Sequence, residues 1–137
     1  MKKEYFMISH NEYAEGLKKA VEMIIGKQDN LAAYGLMPGE HPDEITAKIE
    51  QSLNDQTKTV ILGDIAGGSV CNSALRLTTN PNVTLVTGTN LPLALEVIVS
   101  QATTEEEIAP IMKVTKEQMK ILKVEPTLPT DGDDFFS

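Results

Sequence analysis

The sequence holds one cysteine, Cys71, among 137 residues. A disulfide within the chain is therefore excluded, and a zinc site built on thiolates is disfavoured. Tryptophan is absent and aromatics make up only 4% of the chain, too few for platforms that stack bases or sugar rings. Basic side chains are outnumbered, 12 Lys and Arg against 20 Asp and Glu, for a net charge of −8. That balance argues against nucleic acid or anionic lipid as the main partner, since both demand a positive surface. No apolar run approaches the roughly 18–20 residues of a membrane span. The opening Met1-Lys2-Lys3-Glu4 passes straight into a short apolar segment without a cleavage-site pattern, so no signal peptide is expected. What is present is 41% apolar and 23% charged residues, close to the globular norm. Together these point to one acidic domain, soluble and cytoplasmic, long enough to bury a core without staples.

Strand-like and helix-like patterns alternate. Tyr5-Phe6-Met7-Ile8 reads as a buried strand ending at Ser9-His10. From Asn11 to Ile25 the spacing predicts a helix, with Tyr13, Leu17, Ala20 and Ile24 on one face, Ala14 and Val21 beside them, and Gly26 as a stop. Leu31 to Leu36 is a weaker strand, followed by a Pro38-Gly39 loop. Pro42, Asp43 and Glu44 suit the first turn of a second helix, through which Ile45, Ile49 and Leu53 repeat. Thr59-Val60-Ile61-Leu62 is the clearest strand, rich in β-branched residues. A third helix is expected from Ser69 to about Leu77, a fourth strand over Val83–Thr87, and a helix from Leu91 to Gln101 with Pro92 in its first turn. Thr103-Thr104 before three glutamates marks another helix start, which Pro110 is expected to kink or divide. Lys120 to Val124 is expected to form a last short strand. From Glu125 onward the chain reads as an acidic, loosely held tail, with Phe135-Phe136 as a docking element. The organisation is thus one domain over residues 1–124 and a tail over 125–137.

Strands separated by helices imply parallel pairing through right-handed crossovers. The expected architecture is a doubly wound α/β sandwich: a mostly parallel sheet of four to five strands with helices on both faces. The last short strand could run antiparallel. Ligands in such folds sit beyond the C-terminal ends of the strands, and there the polar and glycine-rich stretches fall: Ser9-His10, then Asp64 to Ser69, then Gly88-Thr89-Asn90.

His10 follows a strand and precedes a helix. Its ordinary role would be to cap or pack against that helix. Asp64, at the end of the third strand, could instead accept a hydrogen bond from one ring nitrogen and leave the other with an outward lone pair, a nucleophile. On its own Asp64 would be a turn or capping carboxylate. Gly67-Gly68-Ser69 can bring backbone amides and a hydroxyl close to an anion, although most such triplets are only turns. It is neither a Walker A loop, since no Gly-Lys-Ser/Thr follows, nor the dinucleotide fingerprint.

Taken together, Ile8-Ser9-His10, Asp64 through Asn72, and Gly88-Thr89-Asn90-Leu91-Pro92-Leu93 resemble the three signature stretches of the mannose-family (mannose/fructose/sorbose) IIA domain. That family belongs to the bacterial phosphoenolpyruvate-dependent sugar phosphotransferase system. The resemblance covers about residues 1–124. Asn11 stands where the family usually has Gly, Ala66 where an aromatic is common, Val70 where Pro is common and Leu93 where Met is usual; none of these removes a reacting atom. The resemblance implies that His10 takes a phosphoryl group from the phosphohistidine of HPr and passes it to a IIB domain, with a membrane IIC/IID pair delivering it to the sugar. It implies that Asp64 orients the imidazole, that Gly67, Gly68 and Ser69 hold the phosphoryl oxygens, and that the domain pairs with itself, exchange of the final strand being one route. Neither a metal nor a cofactor is needed, because positioning and charge stabilisation suffice for phosphoryl transfer.

Other residues read more plainly. Cys71 is expected to be a small buried side chain rather than a phosphocysteine, and His41 a surface residue. Asn90 and Pro92 shape a turn. Leu36, Met37 and Pro38 leave the same sheet edge as His10 and are candidates for a partner-docking rim. Two rival functions remain: a stand-alone regulatory module switched by phosphorylation of His10, and the phosphoryl donor to dihydroxyacetone kinase. The wording of the third- and fourth-strand motifs favours the sugar branch.

Overall fold

The computed structural model describes residues 1–126. Four parallel strands, β1 (Lys2–His10), β2 (Leu31–Leu36), β3 (Thr57–Gly63) and β4 (Val83–Val86), form one sheet in the order β2-β1-β3-β4. Helices α1 (Tyr13–Ile25), α2 (Pro42–Glu50), α3 (Ser69–Ala74), α4 (Leu91–Ser100) and α5 (Glu105–Thr115) surround it, and a 3-10 turn over Leu75–Thr79 extends α3. The doubly wound α/β architecture is as expected.

A strand covered on both faces must be apolar on both, and β1 and β3 are. Tyr5, Met7, Val60 and Leu62 pack with α1, α4 and α5 residues such as Leu17, Val21, Leu93, Val97 and Ile108. Phe6, Ile8 and Ile61 face the other way, onto Ile45, Ile49, Val70 and Ala74 of α2 and α3. The strand order explains the location of the site. The chain leaves β1 towards β2, then returns across β1 to β3, so the C-terminal ends of β1 and β3 flank the point where the winding reverses. Crevices in this fold class open there.

Four local expectations are corrected. Helix α1 begins at Tyr13 rather than Asn11, and it buries Ala14, Leu17 and Val21, leaving Tyr13 and Ile24 half exposed. The buried stripe is therefore the neighbouring one. Helix α2 ends at Glu50, so Leu53 packs on the core from beyond the helix. Pro110 does not divide α5. The hydrogen bond it cannot donate would have gone to the carbonyl of Glu106, on the exposed side of the helix, where water can serve instead. Residues 120–124 form no strand: Ile121, Leu122 and Val124 stand 96%, 80% and 85% exposed, and β4 keeps one edge open. The sheet of the described residues thus has four strands. The expected acidic tail and the docking of Phe135-Phe136 lie outside the described residues, apart from Glu125 and Pro126.

Candidate functional site

The register of the sheet sets His10 beside Leu36 on β2, while Ile8 pairs with Gly63 on β3. One residue past β3, Asp64 therefore reaches the end of β1. Its Oδ2 accepts two hydrogen bonds from one residue: the backbone N–H of His10 at 2.8 Å and the ring Nδ1 at 2.8 Å. Oδ1 accepts the Ile65 N–H at 2.8 Å and the Cys71 thiol at 3.8 Å. Burial alone would push the Asp64 carboxyl up, but the N–H groups of His10 and Ile65 and the His10 ring outweigh it and hold the group below the usual aspartate range. An ionised carboxylate only accepts, so the ring proton in neutral His10 belongs on Nδ1. Nε2 then carries the lone pair. The ring is half exposed, with 49% of the side-chain surface open against 14% for Asp64.

On the far side of the ring, Ser69 Oγ lies 3.4 Å from Nε2. Gly67 sits at φ +79° in the loop, and Gly68 approaches the imidazole so closely that a β-carbon there would stand 2.9 Å from His10 Cε1. The Asn72 side chain donates to the Gly67 carbonyl at 3.2 Å, bracing the loop. The predicted constellation of His10, Asp64, Gly68 and Ser69 is thus brought together from two strand ends. Arranged this way, it offers a nucleophilic nitrogen with a fixed lone pair, an anionic partner for positive charge on the ring, and a hydroxyl beside the reacting atom. Among the described residues, no group of three or more His, Cys, Asp and Glu could hold a metal, and no helix is long and apolar enough to cross a membrane.

Leu36, Met37 and Pro38 leave β2 next to His10, with the Asn11 N–H bonded to the Leu36 carbonyl at 2.7 Å. Met37 is exposed, and Ile65, also exposed, adds an apolar side chain on the opposite flank. His41 is exposed and caps α2, its Nδ1 accepting the Asp43 N–H. Asn90 caps α4 in the same way through the Leu93 N–H. Cys71 is buried, and desolvation foremost pushes its thiol up, the opposite of an activated nucleophile. Sequence reasoning overlooked Ser9, wholly buried, whose hydroxyl accepts the Ala14 N–H at 2.7 Å and so caps the turn after His10. The S-x-x-x-x spacing carries no standard cap signature. It also overlooked Tyr13 and Thr89, joined by a hydrogen bond across 76 positions.

Comparison with known proteins selects one family. A family model described as "EIIA-man: PTS system fructose IIA component" matches residues 5–113. The mannose-specific EIIAB component of the phosphotransferase system of Escherichia coli K12 is 30% identical over 125 residues, which are 86% of this chain and 39% of that protein. The chain thus spans about two fifths of that relative's length. The sorbose-specific EIIA component of Lacticaseibacillus casei is 28% identical over 137 residues, 96% of this chain and 99% of the relative. In structure, the mannose/sorbose-specific IIA subunit from Enterococcus faecalis superposes with a TM-score of 0.81 at 25% identity, covering 93% of this chain and all of that one.

Proposed function

The chain belongs to the mannose family of phosphotransferase-system IIA components, and from that premise we propose that it is a cytoplasmic phosphoryl carrier in which His10 accepts the group from HPr and hands it to a IIB domain. The observation that carries this reading is the pair of contacts at His10: Nδ1 on Asp64 at 2.8 Å, and Nε2 free beside Ser69 at 3.4 Å. In the forward step the Nε2 lone pair attacks phosphorus in line. The phosphorus–nitrogen bond of the donor's phosphohistidine breaks, and its electron pair returns to the donor's ring. His10 gains positive character as the new bond forms, and the ionised Asp64, holding Nδ1–H, stabilises it. Ser69 and the amides of Gly67 and Gly68 are placed here as the groups that receive the phosphoryl oxygens. Transfer to IIB is the same displacement reversed, with a histidine of that partner as nucleophile, and membrane IIC/IID components stand downstream.

The partners are proteins, met in turn, so the docking surface must be shallow and shared. Leu36, Met37 and Pro38 on one flank of His10 and Ile65 on the other are proposed as its apolar part, with buried area near the low end for transient encounters, about 1,200 Å² or less. A second copy of the chain is proposed to cover the exposed run from Met119 to Val124. That run would lie along the open edge of the partner's β4, where a groove of about 500 Å³ between β4 and α5 is lined by Val83, Leu85, Ile108 and Met112.

The test is reconstitution with phosphoenolpyruvate, enzyme I, HPr and a IIB domain. One acid-labile phosphoryl group on the chain, absent from His10→Ala, is expected, followed by its appearance on IIB. Phosphorylation with no onward transfer to any IIB domain would instead favour a regulatory switch. Acid-stable label, or label on Cys71, would end the proposal.

A further inference from the structure

The turn that carries His10 is conformationally demanding. Asn11 adopts φ +50°, a left-handed conformation that a β-carbon disfavours and that Asn tolerates best after glycine. Hydrogen bonds hold it from three directions. On the β2 side the Asn11 N–H donates to Leu36 O at 2.7 Å. Within the turn, Ser9 Oγ accepts the Ala14 N–H. On the opposite side the Tyr13 hydroxyl donates to the carbonyl of Thr89 at 2.6 Å. Thr89 is fixed in turn: it is 2% exposed, and its N–H donates to Gly63 O at 3.0 Å. Gly63 immediately precedes Asp64, which grips His10. The bonds therefore close a ring through three strand ends, from His10 to Asp64, from Gly63 to Thr89, from Thr89 to Tyr13, and back along the chain to His10.

We propose that Tyr13 is a positioning residue: its hydroxyl latches the β1–α1 turn to the β4–α4 turn and so keeps the His10 ring aligned on Asp64, with Nε2 outward. The kinetic consequence of this latch rests on the phosphocarrier reading; its geometric consequence does not. The Tyr13 hydroxyl bonds to Thr89, while the ring nitrogens of His10 bond to Asp64 and Ser69, so its effect on the reacting nitrogen runs through the placement of the turn. An ordinary phenol is already a donor at neutral pH, and partial burial first, and the charge of Asp64 second, push the ionisation of Tyr13 further up. Half of its surface is open to solvent, so removing the hydroxyl alone leaves no cavity. Small displacements at a reacting atom are costly, because in-line transfer requires aligned groups.

The experiment compares wild type with Tyr13→Phe by two readouts on the full chain. The first is the ¹⁵N histidine spectrum in mildly alkaline buffer, which reports the His10 tautomer without any partner. The second is the kinetics of phosphoryl acceptance from the phosphohistidine donor protein. Wild type is expected to show a single Nδ1–H tautomer, and the variant a broadened or mixed one. The kcat for acceptance should fall about 3- to 10-fold, the equivalent of one hydrogen bond, with KM unchanged because the ring face is retained. An unchanged His10 spectrum would overturn the latch, as would an unchanged kcat in a chain that accepts phosphoryl groups. A change in KM alone would also overturn it, assigning Tyr13 to docking. If the spectrum changes but neither protein accepts a phosphoryl group, the latch stands and the carrier reading falls.

Discussion

Asp64 accepts two hydrogen bonds on each carboxylate oxygen, and His10 supplies both donors on one of them. Asp64→Asn keeps the shape but lets an NH₂ face the ring, favouring the wrong tautomer. Phosphoryl acceptance should slow by roughly 10- to 10⁴-fold, the range seen when an orienting or acid–base partner is lost, while circular dichroism stays that of wild type. Equal single-turnover rates would reduce Asp64 to a turn residue. The same carboxylate has a consequence for stability. Its folded form ionises below the usual aspartate range, so the unfolded chain binds the proton more readily. Its contribution is then complete above an ordinary aspartate pKa of about 3.9 and is lost as pH falls towards the depressed folded value. Urea titrations should show wild type losing its advantage over Asp64→Asn across that acidic window and keeping it at neutral pH. At this scale His10, Asp64, Gly68 and Ser69 were legible, because strand ends with polar or small residues are where a doubly wound fold collects its chemistry. Ser9, Tyr13 and Thr89 were not. Their bonds run to backbone groups, those of Tyr13 and Thr89 to partners far away in sequence, and no residue pattern encodes a carbonyl's position.

Elements were legible where burial is two-sided and the run is unbroken, as in β1 and β3, or where caps are written in side chains. The box before α5 is one such case: the Thr104 hydroxyl accepts the Glu107 N–H while Glu107 reaches back to Thr103 and Thr104 N–H groups, which hold its carboxyl below the usual range. Thr104→Ala should cost about 1 kcal/mol in chemical denaturation. The face of α1 was misread because Tyr13 and Ile24 are apolar yet solvent-facing, Tyr13 being committed to Thr89. Pro110 does not divide α5, and Glu106, whose carbonyl it leaves without that donor, is an exposed residue. Gly35 illustrates what only three dimensions reveal. It pairs with Ser9 in the sheet, and a β-carbon there would collide with the Asn11 carbonyl. Gly35→Ala should therefore destabilise by more than about 2 kcal/mol, well beyond a typical surface change, and should disturb the His10 turn. Denaturation midpoints equal to wild type would mean the turn can shift freely.

The whole molecule offers a sheet with an open β4 edge and an apolar segment with nothing upon it among the described residues. Neither Lys120–Val124 as a strand nor its absence from the sheet can be read from one chain's periodicity, since a strand exists only with a partner. If a second copy supplies that partner, sedimentation should give a dimer. Ile121→Asp combined with Val124→Asp should shift it to monomer without unfolding the domain, whereas a monomeric wild type would remove the exchange model. Around His10, the net charge of −8 is expected to steer a partner that is basic beside its own histidine. The second-order rate of transfer from HPr should then fall with salt while the saturated rate stays nearly constant. Met37→Glu should weaken both transfer steps; if it affects neither, the partners approach from the Asn90 to Leu93 side instead. The central claim concerns a single atom. Asp64 holds Nδ1 of His10, so the phosphoryl group must bond to Nε2. The ³¹P and ¹⁵N spectra of the phosphorylated chain report which nitrogen carries phosphorus. A phosphorus–nitrogen coupling at Nε2 of His10, with Nδ1 still protonated, is the predicted result, and phosphorus on Nδ1 or on any other residue would contradict it.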